Sequence, residues 1–218
     1  ILTGVHFVLS DNKELKTVAT DSHRMSQKVI TLEKNGDNFD VVIPSRSLRE
    51  FTSVFSDDIE TVEVFFANNQ ILFRSEHISF YTRLLEGNYP DTDRLIPTEF
   101  NTEATFNVAN LRFAMERARL LSNATQNGTV KLEFKNGVVS SHVHSPEVGR
   151  VNEEIDTSAV SGEDLSISFN PTYLIEALKA IDSEQVVIRF ISSVRPFTLV
   201  PEENEQGFIQ LITPVRTN

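Results

Sequence analysis

The feature that most constrains this chain is a recurrence in the order of its elements. A hairpin over residues 4–20, a strand over 39–44, a helix over 45–55, a hairpin over 62–75 and a strand over 78–85 make one series. A hairpin over 130–143, a strand over 165–169, a helix over 170–181, a hairpin over 186–199 and a strand over 207–212 make a second. Leu48 corresponds to Leu174, Val62 to Ile188 and Val64 to Phe190, each at an offset of 126 residues. Two copies of one α+β unit are expected. The individual readings rest on period. Val130, Leu132 and Phe134 alternate onto one strand face, and Asn136-Gly137 leads into the next strand, the strongest short hairpin signal. Ser45 to Phe55 sets Leu48, Phe51 or Thr52, and Phe55 on one side of a helix. Asn170-Pro171 opens a helix that aligns Leu174, Ala177, Leu178 and Ile181. A third helix, over 107–123, aligns Val108, Leu111, Met115 and Ala118. It precedes the second copy and has no counterpart before the first. The sequence therefore reads as a fragment cut inside a larger repeat protein.

Composition narrows the class. The 218 residues carry 39% hydrophobic and 23% charged side chains, ordinary for a soluble globular protein. No apolar run approaches the roughly 18–20 residues of a spanning helix, and the start at Ile1-Leu2-Thr3-Gly4 has no signal-peptide character. Cys is absent, which excludes disulfides, thiol catalysis and Cys-based zinc sites and fits a cytoplasmic location. The net charge of −11 argues on bulk grounds against nucleic acid. Its distribution argues otherwise. The polar faces of the three helices carry Arg46, Arg49, Arg112, Arg117, Arg119 and Lys179 against Glu50, Glu116 and Glu176. Ordinary solvated helix faces would look the same. Alternatively, a locally positive surface on an acidic body faces phosphates, which feel the field within roughly 8–10 Å.

Catalytic and metal signatures are sparse. There is no Gly-rich phosphate loop, no Ser/His/Asp signature and no His-Glu-x-x-His helix. Asp21-Ser22-His23-Arg24 concentrates an acid, a hydroxyl, an imidazole and a guanidinium after a strand. A hydrolase-like centre on Asp21 and His23 is one reading; a polar turn capped by Asp21 is the other. His142 and His144 share a strand face at roughly 7 Å, but no third zinc ligand accompanies them. Asn123-Ala124-Thr125 fits the glycosylation pattern by chance.

The segment Lys16-Thr17-Val18-Ala19-Thr20-Asp21-Ser22-His23-Arg24-Met25 resembles the "TVATDGHRL" signature in the middle domain of the bacterial beta sliding clamps, processivity subunits of the replicative DNA polymerase. Leu84-Leu85-Glu86-Gly87-Asn88-Tyr89-Pro90-Asp91 resembles the family's inter-domain linker. Arg117-Ala118 with Leu120-Leu121-Ser122-Asn123, Phe169-Asn170-Pro171-Thr172-Tyr173-Leu174, and Ile212-Thr213-Pro214-Val215-Arg216 resemble motifs of its third domain and tail. The chain departs from the pattern at Ser22, where Gly is common, and in the extension Thr217-Asn218.

The resemblance implies a DNA-clamp fold, repeated domains of antiparallel sheets with two helices per complete copy lining the DNA hole. Residues 1–97 would be the middle domain without its first strand and helix, and 98–218 the complete carboxyl-terminal domain. It implies a non-catalytic subunit without cofactor or metal, any 3'-5' exonuclease activity belonging to the holoenzyme. Full-length subunits would close as a homodimeric ring on duplex DNA, with Arg46, Arg49, Arg112, Arg117, Arg119 and Lys179 facing it. The ring contact would use Leu120, Leu121 and an edge strand near Val130 to Phe134, and this fragment alone would be mainly monomeric. Polymerase subunits, clamp loader and repair proteins would dock through Gln/Leu/Phe-type peptides in a groove between the second and third domains. By motif, the groove residues are Leu2, Thr20, Ser22, His23, Arg24, Met25, Pro90, Arg94, Leu95, Asn170, Tyr173, Val194, Pro196, Leu211, Thr213, Pro214, Val215 and Arg216. The apolar members would serve as wall, and His23, Arg24, Arg94, Asn170 and Arg216 as hydrogen-bonding groups.

Overall fold

A computed structural model describes residues 1–56, 58–122, 128–145, 149–203 and 207–216. The chain forms two compact units, one comprising Ile1–Asp21 and Gln27–Thr92, the other Ser22–Ser26 and Asp93–Asn218. The division falls at 92/93 and not at 97/98. The short 3₁₀ turn Asp93–Leu95, closed by Ile96 N–H donating to Asp93 O at 3.3 Å, already belongs to the second unit.

The first unit contains β1 (Gly4–Ser10), β2 (Glu14–Thr20), β3 (Arg24–Thr31, its residues from Gln27 onward), β4 (Phe39–Pro44), α1 (Ser45–Val54), β5 (Glu63–Ala67), β6 (Gln70–Arg74) and β7 (Ser79–Arg83). One sheet runs β3-β2-β1-β4 and another β5-β6-β7. The β1–β2 turn puts Asp11 and Asn12 in the left-handed region, which these short polar side chains tolerate. The core is aromatic. Phe51 of α1 lies 4.4 Å from Phe55 and 4.7 Å from Phe73, ring centre to ring centre, around buried Ile43 and Ile71. Offset and tilted rings at such separations add to area burial. On the sheet's other face His6 stacks on Tyr89 at 4.6 Å and meets Asp40 at 2.6 Å. Partial burial there raises the Tyr89 pKa, against a backbone hydrogen bond with Thr20.

The second unit contains β8 (Thr102–Asn107), α2 (Val108–Ser122), β9 (Val130–Lys135), β10 (Val138–Ser145), β11 (Gly149–Ile155), β12 (Ala159–Gly162), β13 (Leu165–Phe169), α3 (Pro171–Lys179), β14 (Gln185–Phe190), β15 (Phe197–Pro201) and β16 (Ile209–Ile212). Its sheets run β11-β10-β9-β13 and β12-β8-β14-β15-β16. Asn136 and Gly137 are both left-handed, as the expected Asn-Gly hairpin requires. α2 begins with the Asn107 side chain accepting from Asn110 N–H at 3.0 Å, and α3 with Asn170 accepting from Thr172 N–H at 2.9 Å. The two helices pack against each other over a core that includes Leu111, Met115, Leu174, Leu178, Phe169 and Phe190.

The repeat is present in the topology. The order β3-β2-β1-β4 matches β11-β10-β9-β13, with α1 and α3 each following the last strand, and β5-β6-β7 matches β14-β15-β16. The copies differ in cover. Phe190 is completely buried because β14 lies between β8 and β15, whereas Val64, its partner in the repeat, is 43% exposed on the edge strand β5. Strands β3, β8, β11 and β12 go beyond the sequence reading. One correction follows. The stretch Val130 to Phe134 is not an edge, because β9 is flanked by β10 and β13; the edges of that sheet are β11 and β13. The polar run Arg150-Val151-Asn152-Glu153-Glu154 hides β11, which is held by its ladder to β10 and not by hydrophobic alternation.

Candidate functional site

Residues 22–26 belong to the second unit although they follow β2 in sequence. The tail holds them through the backbone. His23 O accepts both Thr213 N–H at 2.9 Å and Thr213 Oγ1–H at 2.8 Å. Val215 N–H donates to Ser168 O at 2.7 Å, tying the tail to the end of β13, directly before α3. Tyr173, in the first turn of α3, is the centre of the cluster. Its ring is nearly parallel to His23 (14°, 6.3 Å between centres), and the Arg24 guanidinium lies 4.7 Å from the ring centre. That distance is within cation–π range. The same guanidinium bonds Glu176, one turn further along α3. Pro171 at N1 and the Asn170 cap fix where α3 begins, and so where Tyr173 and Glu176 project.

All the expected peptide-binding residues except Leu2, Thr20 and Pro90 lie in the second unit. They differ in accessibility. Leu95, Val194 and Val215 are exposed at 50%, 52% and 36%, as apolar contact surface must be. Met25 and Leu211 are only 2% and 3% exposed. Both are buried where accessible apolar wall was expected; in β16 Gln210, Leu211 and Ile212 are all buried, so that strand is covered on both faces. Ser22 has φ 75°, a left-handed conformation that Gly adopts freely and Ser at a cost. The position where the sequence departs from the family pattern is thus one where backbone geometry favours Gly. Pro196 is half-buried, and Arg94 and Arg216 are exposed. Glu176 is the member that sequence reading missed. It was visible only as an acid on a helix face, and its partner Arg24 is 152 residues away.

His23 stacks on Tyr173 through its ring and holds Thr213 of the tail through its carbonyl. Among the described residues no three His, Cys, Asp or Glu side chains gather as a metal site. His142 accepts or donates within its own sheet, to Asn152 at 2.8 Å and Ser140 at 2.9 Å, with Glu133 at 3.2 Å. Asn123, Ala124 and Thr125 lie outside the described residues, as do Thr217 and Asn218.

The helix cations are partly neutralised. Arg46 pairs with Glu50 at 3.0 Å, Arg112 approaches Glu116 at 3.8 Å, and Arg117 forks onto Glu153 of β11. The hydrogen bond to Glu153 raises the Arg117 pKa. The Nε of Arg112 is buried without a hydrogen-bond partner, while its guanidinium lies 5.3 Å from the Phe113 ring. Arg49 and Lys179 are exposed. Where α2 faces β11, a cavity of about 270 Å³ opens, lined by Asn110, Phe113, Ala114, Arg117, Glu153, Glu154, Ile155 and Asp156. Leu120, one of the expected ring-contact residues, is 74% exposed on α2.

Comparison with known proteins agrees with this geometry. Residues 1–91 match the family description "DNA polymerase III beta subunit, central domain", and residues 93–216 match "DNA polymerase III beta subunit, C-terminal domain". The chain is 81% identical over 218 residues to a beta sliding clamp of Streptococcus pneumoniae and 54% identical over 220 residues to one of Lactococcus lactis. In both alignments all of this chain is covered and 58% of the relative, so the chain spans little more than half the length of those proteins. Among solved structures, the DNA polymerase III beta chain of Streptococcus pneumoniae superposes with a TM-score of 0.98 at 81% identity, covering all of this chain and 58% of that one. The DNA polymerase sliding clamp of Bacillus subtilis superposes with 0.93 at 37% identity, covering all of this chain and 57% of that one. With its two units matched in order to the central and carboxyl-terminal domains, this chain belongs to the DNA polymerase III beta-subunit family.

Proposed function

We propose that the chain is part of a sliding clamp, a non-catalytic processivity subunit that rides on duplex DNA and captures polymerase subunits, clamp loader and repair proteins by short peptides. The observation that supports this most is the cluster on the second unit. His23, Arg24, Asn170, Tyr173 and the tail converge from three distant stretches of sequence. An aromatic platform, charged donors and exposed Leu95, Val194 and Val215 suit a peptide with apolar anchors and a Gln side chain. Each anchor contributes about 1.5–3 kcal/mol on burial. Two or three anchors, less the ordering of a flexible peptide, lead to micromolar affinity. The whole subunit is read as a homodimeric ring. Its contact with DNA is topological, and exposed Arg49 and Lys179, with the paired arginines of the helices, supply weak and sequence-independent attraction.

The test is calorimetric titration of this chain with a Gln-Leu-x-Leu-Phe peptide. Binding in the micromolar range is expected. Tyr173→Ala should weaken it at least tenfold, and Arg112→Ala, on α2, should leave it unchanged. Equal loss in both variants, or no binding by the folded wild type, refutes the assignment.

A further inference from the structure

We propose that Tyr89 is a positioning residue of the peptide site, fixing Pro90 relative to the end of β2 so that Thr20 and Pro90, distant in sequence, meet a peptide as one preformed surface. The inference rests on the peptide-docking reading and adds a residue to it.

Leu2, Thr20 and Pro90 are the expected peptide-binding residues of the first unit. Thr20 ends β2, and Pro90 lies in the segment that follows β7. The start of that segment is tied down by Leu84 N–H, which donates to Asn69 O at 3.0 Å, and by Leu85 N–H, which donates to Val42 O at 2.8 Å. Pro90 is exposed and has no N–H with which to bond the protein. Its neighbour Tyr89 supplies the attachment. The Tyr89 ring stacks on His6, with centres 4.6 Å apart and planes at 25°, and His6 Nε2 is hydrogen-bonded to Asp40 Oδ1 at 2.6 Å. The Tyr89 hydroxyl donates to Val18 O at 3.4 Å and is also hydrogen-bonded to the Thr20 backbone. The bond with Thr20 favours the ionised phenol, so its donor is the Thr20 N–H. Val18 and Thr20 are two residues apart and turn their main-chain groups to the same side of β2, where one hydroxyl can serve both.

Ring and hydroxyl are attachments of different kinds. Together they determine where the phenol sits and how it is turned. Pro90 follows directly, and its fixed φ carries that placement over to its own ring. A surface ordered by its own protein spares a peptide the cost of ordering it, which is the general advantage of preorganisation. This role differs from general support of the first unit, whose aromatic core around Phe51, Phe55 and Phe73 lies on the sheet's opposite face.

The experiment is calorimetric titration of the 218-residue chain with a Gln-Leu-x-Leu-Phe peptide, well below the melting temperature, accompanied by thermal melts. Tyr89→Phe keeps the stack and removes the hydroxyl, and Kd should rise about two- to fivefold. Tyr89→Leu removes both attachments and should raise Kd about tenfold. His6→Ala should raise Kd about two- to fivefold in the wild type. In the Tyr89→Leu background it should have no further effect, because the ring it supports is gone. Phe55→Leu should lower the melting temperature and leave Kd unchanged. An unchanged Kd in either Tyr89→Phe or His6→Ala, while Tyr173→Ala weakens binding, overturns the positioning role and leaves the peptide site standing, whether or not Tyr89→Leu folds. A further loss from His6→Ala in the Tyr89→Leu background, or an equal rise of Kd in Phe55→Leu, overturns the role as well. Unchanged binding in Tyr173→Ala, or none by the folded wild type, overturns the peptide site itself, and the positioning role with it.

Discussion

Asn170 combines two functions that one pair of substitutions can separate. Its side-chain oxygen accepts from Thr172 N–H at 2.9 Å and so caps α3, the helix that carries Tyr173 and Glu176. Its amide nitrogen is a donor that the cap does not use, and the proposed site needs such a donor for a peptide carbonyl or a Gln oxygen. Asn170→Ala removes both groups. Loss of an N-cap costs about 1 kcal/mol, within a range of roughly 0.5–2. Pro171 limits the damage by keeping the first turn's φ in place, so the lower half of that range applies. For a cooperative unit of this size the melting temperature should fall by roughly 2–5 °C. Asn170→Asp retains the accepting oxygen and adds a favourable charge at the helix start. It should melt within about 1 °C of the wild type. It cannot donate, however, and places a carboxylate before a peptide carbonyl. Peptide affinity should drop about tenfold, the loss of one hydrogen bond with an acceptor left facing an acceptor. Differential scanning calorimetry and peptide titration on the same three proteins decide the matter. If Asn170→Asp binds peptide like the wild type, Asn170 is a cap and nothing more. If Asn170→Ala melts like the wild type, the cap contributes nothing and the geometric argument for where α3 begins is wrong.

Gly162 offers a sharper backbone test. Its φ is +99°, and an added Cβ would lie 1.9 Å from Asn101 O, so Gly162→Ala should destabilise the second unit by more than about 2 kcal/mol in urea titration. Met25→Asp should act first on folding, since Met25 is 2% exposed; loss of peptide binding together with a lowered urea midpoint is expected, and loss with an unchanged midpoint would mean that Met25 opens to ligand. Binding of this chain to linear duplex should vanish by about 0.15 M salt, since several helix cations are already paired; retention measured by gel shift at that salt would contradict the weak-attraction reading. Sedimentation at low micromolar concentration should give mainly monomer, and a stable dimer would show that the exposed edge of β5 or β11 pairs between copies.

The parts of the fold legible in the sequence were those where local chemistry and tertiary placement agree. Asn136-Gly137 announces its hairpin, and Asn170-Pro171 announces α3, because turn and cap geometry depend on the residues themselves. β11 and β12 were not legible. Their residues alternate weakly, and what makes them strands is a neighbour, β10 for one and β8 for the other. The same distinction applies to the site. The motif around His23 could be read directly, but the fate of Met25 depends on which way its strand faces. Glu176 depends on a partner 152 residues distant, which no periodicity encodes. The arithmetic of basic against acidic residues on the helices also overstated the local charge, since Glu153, the acid on Arg117, comes from a strand and was outside the sum.

The tail's attachment has an evolutionary side. Thr213 and Val215 are anchored by their main-chain N–H groups, to His23 O and Ser168 O. Between them stands Pro214, which has no N–H to give and sits where none is asked for. Main-chain bonds do not depend on which side chain the residue bears. Residues 215 and 216 can therefore drift through many chemistries while the tail stays moored, so its recognition properties can be revised without renegotiating the fold. Proline is barred at 215, where it would remove the donor to Ser168 O, and at 213 it would remove the N–H and the Thr hydroxyl that both bond His23 O.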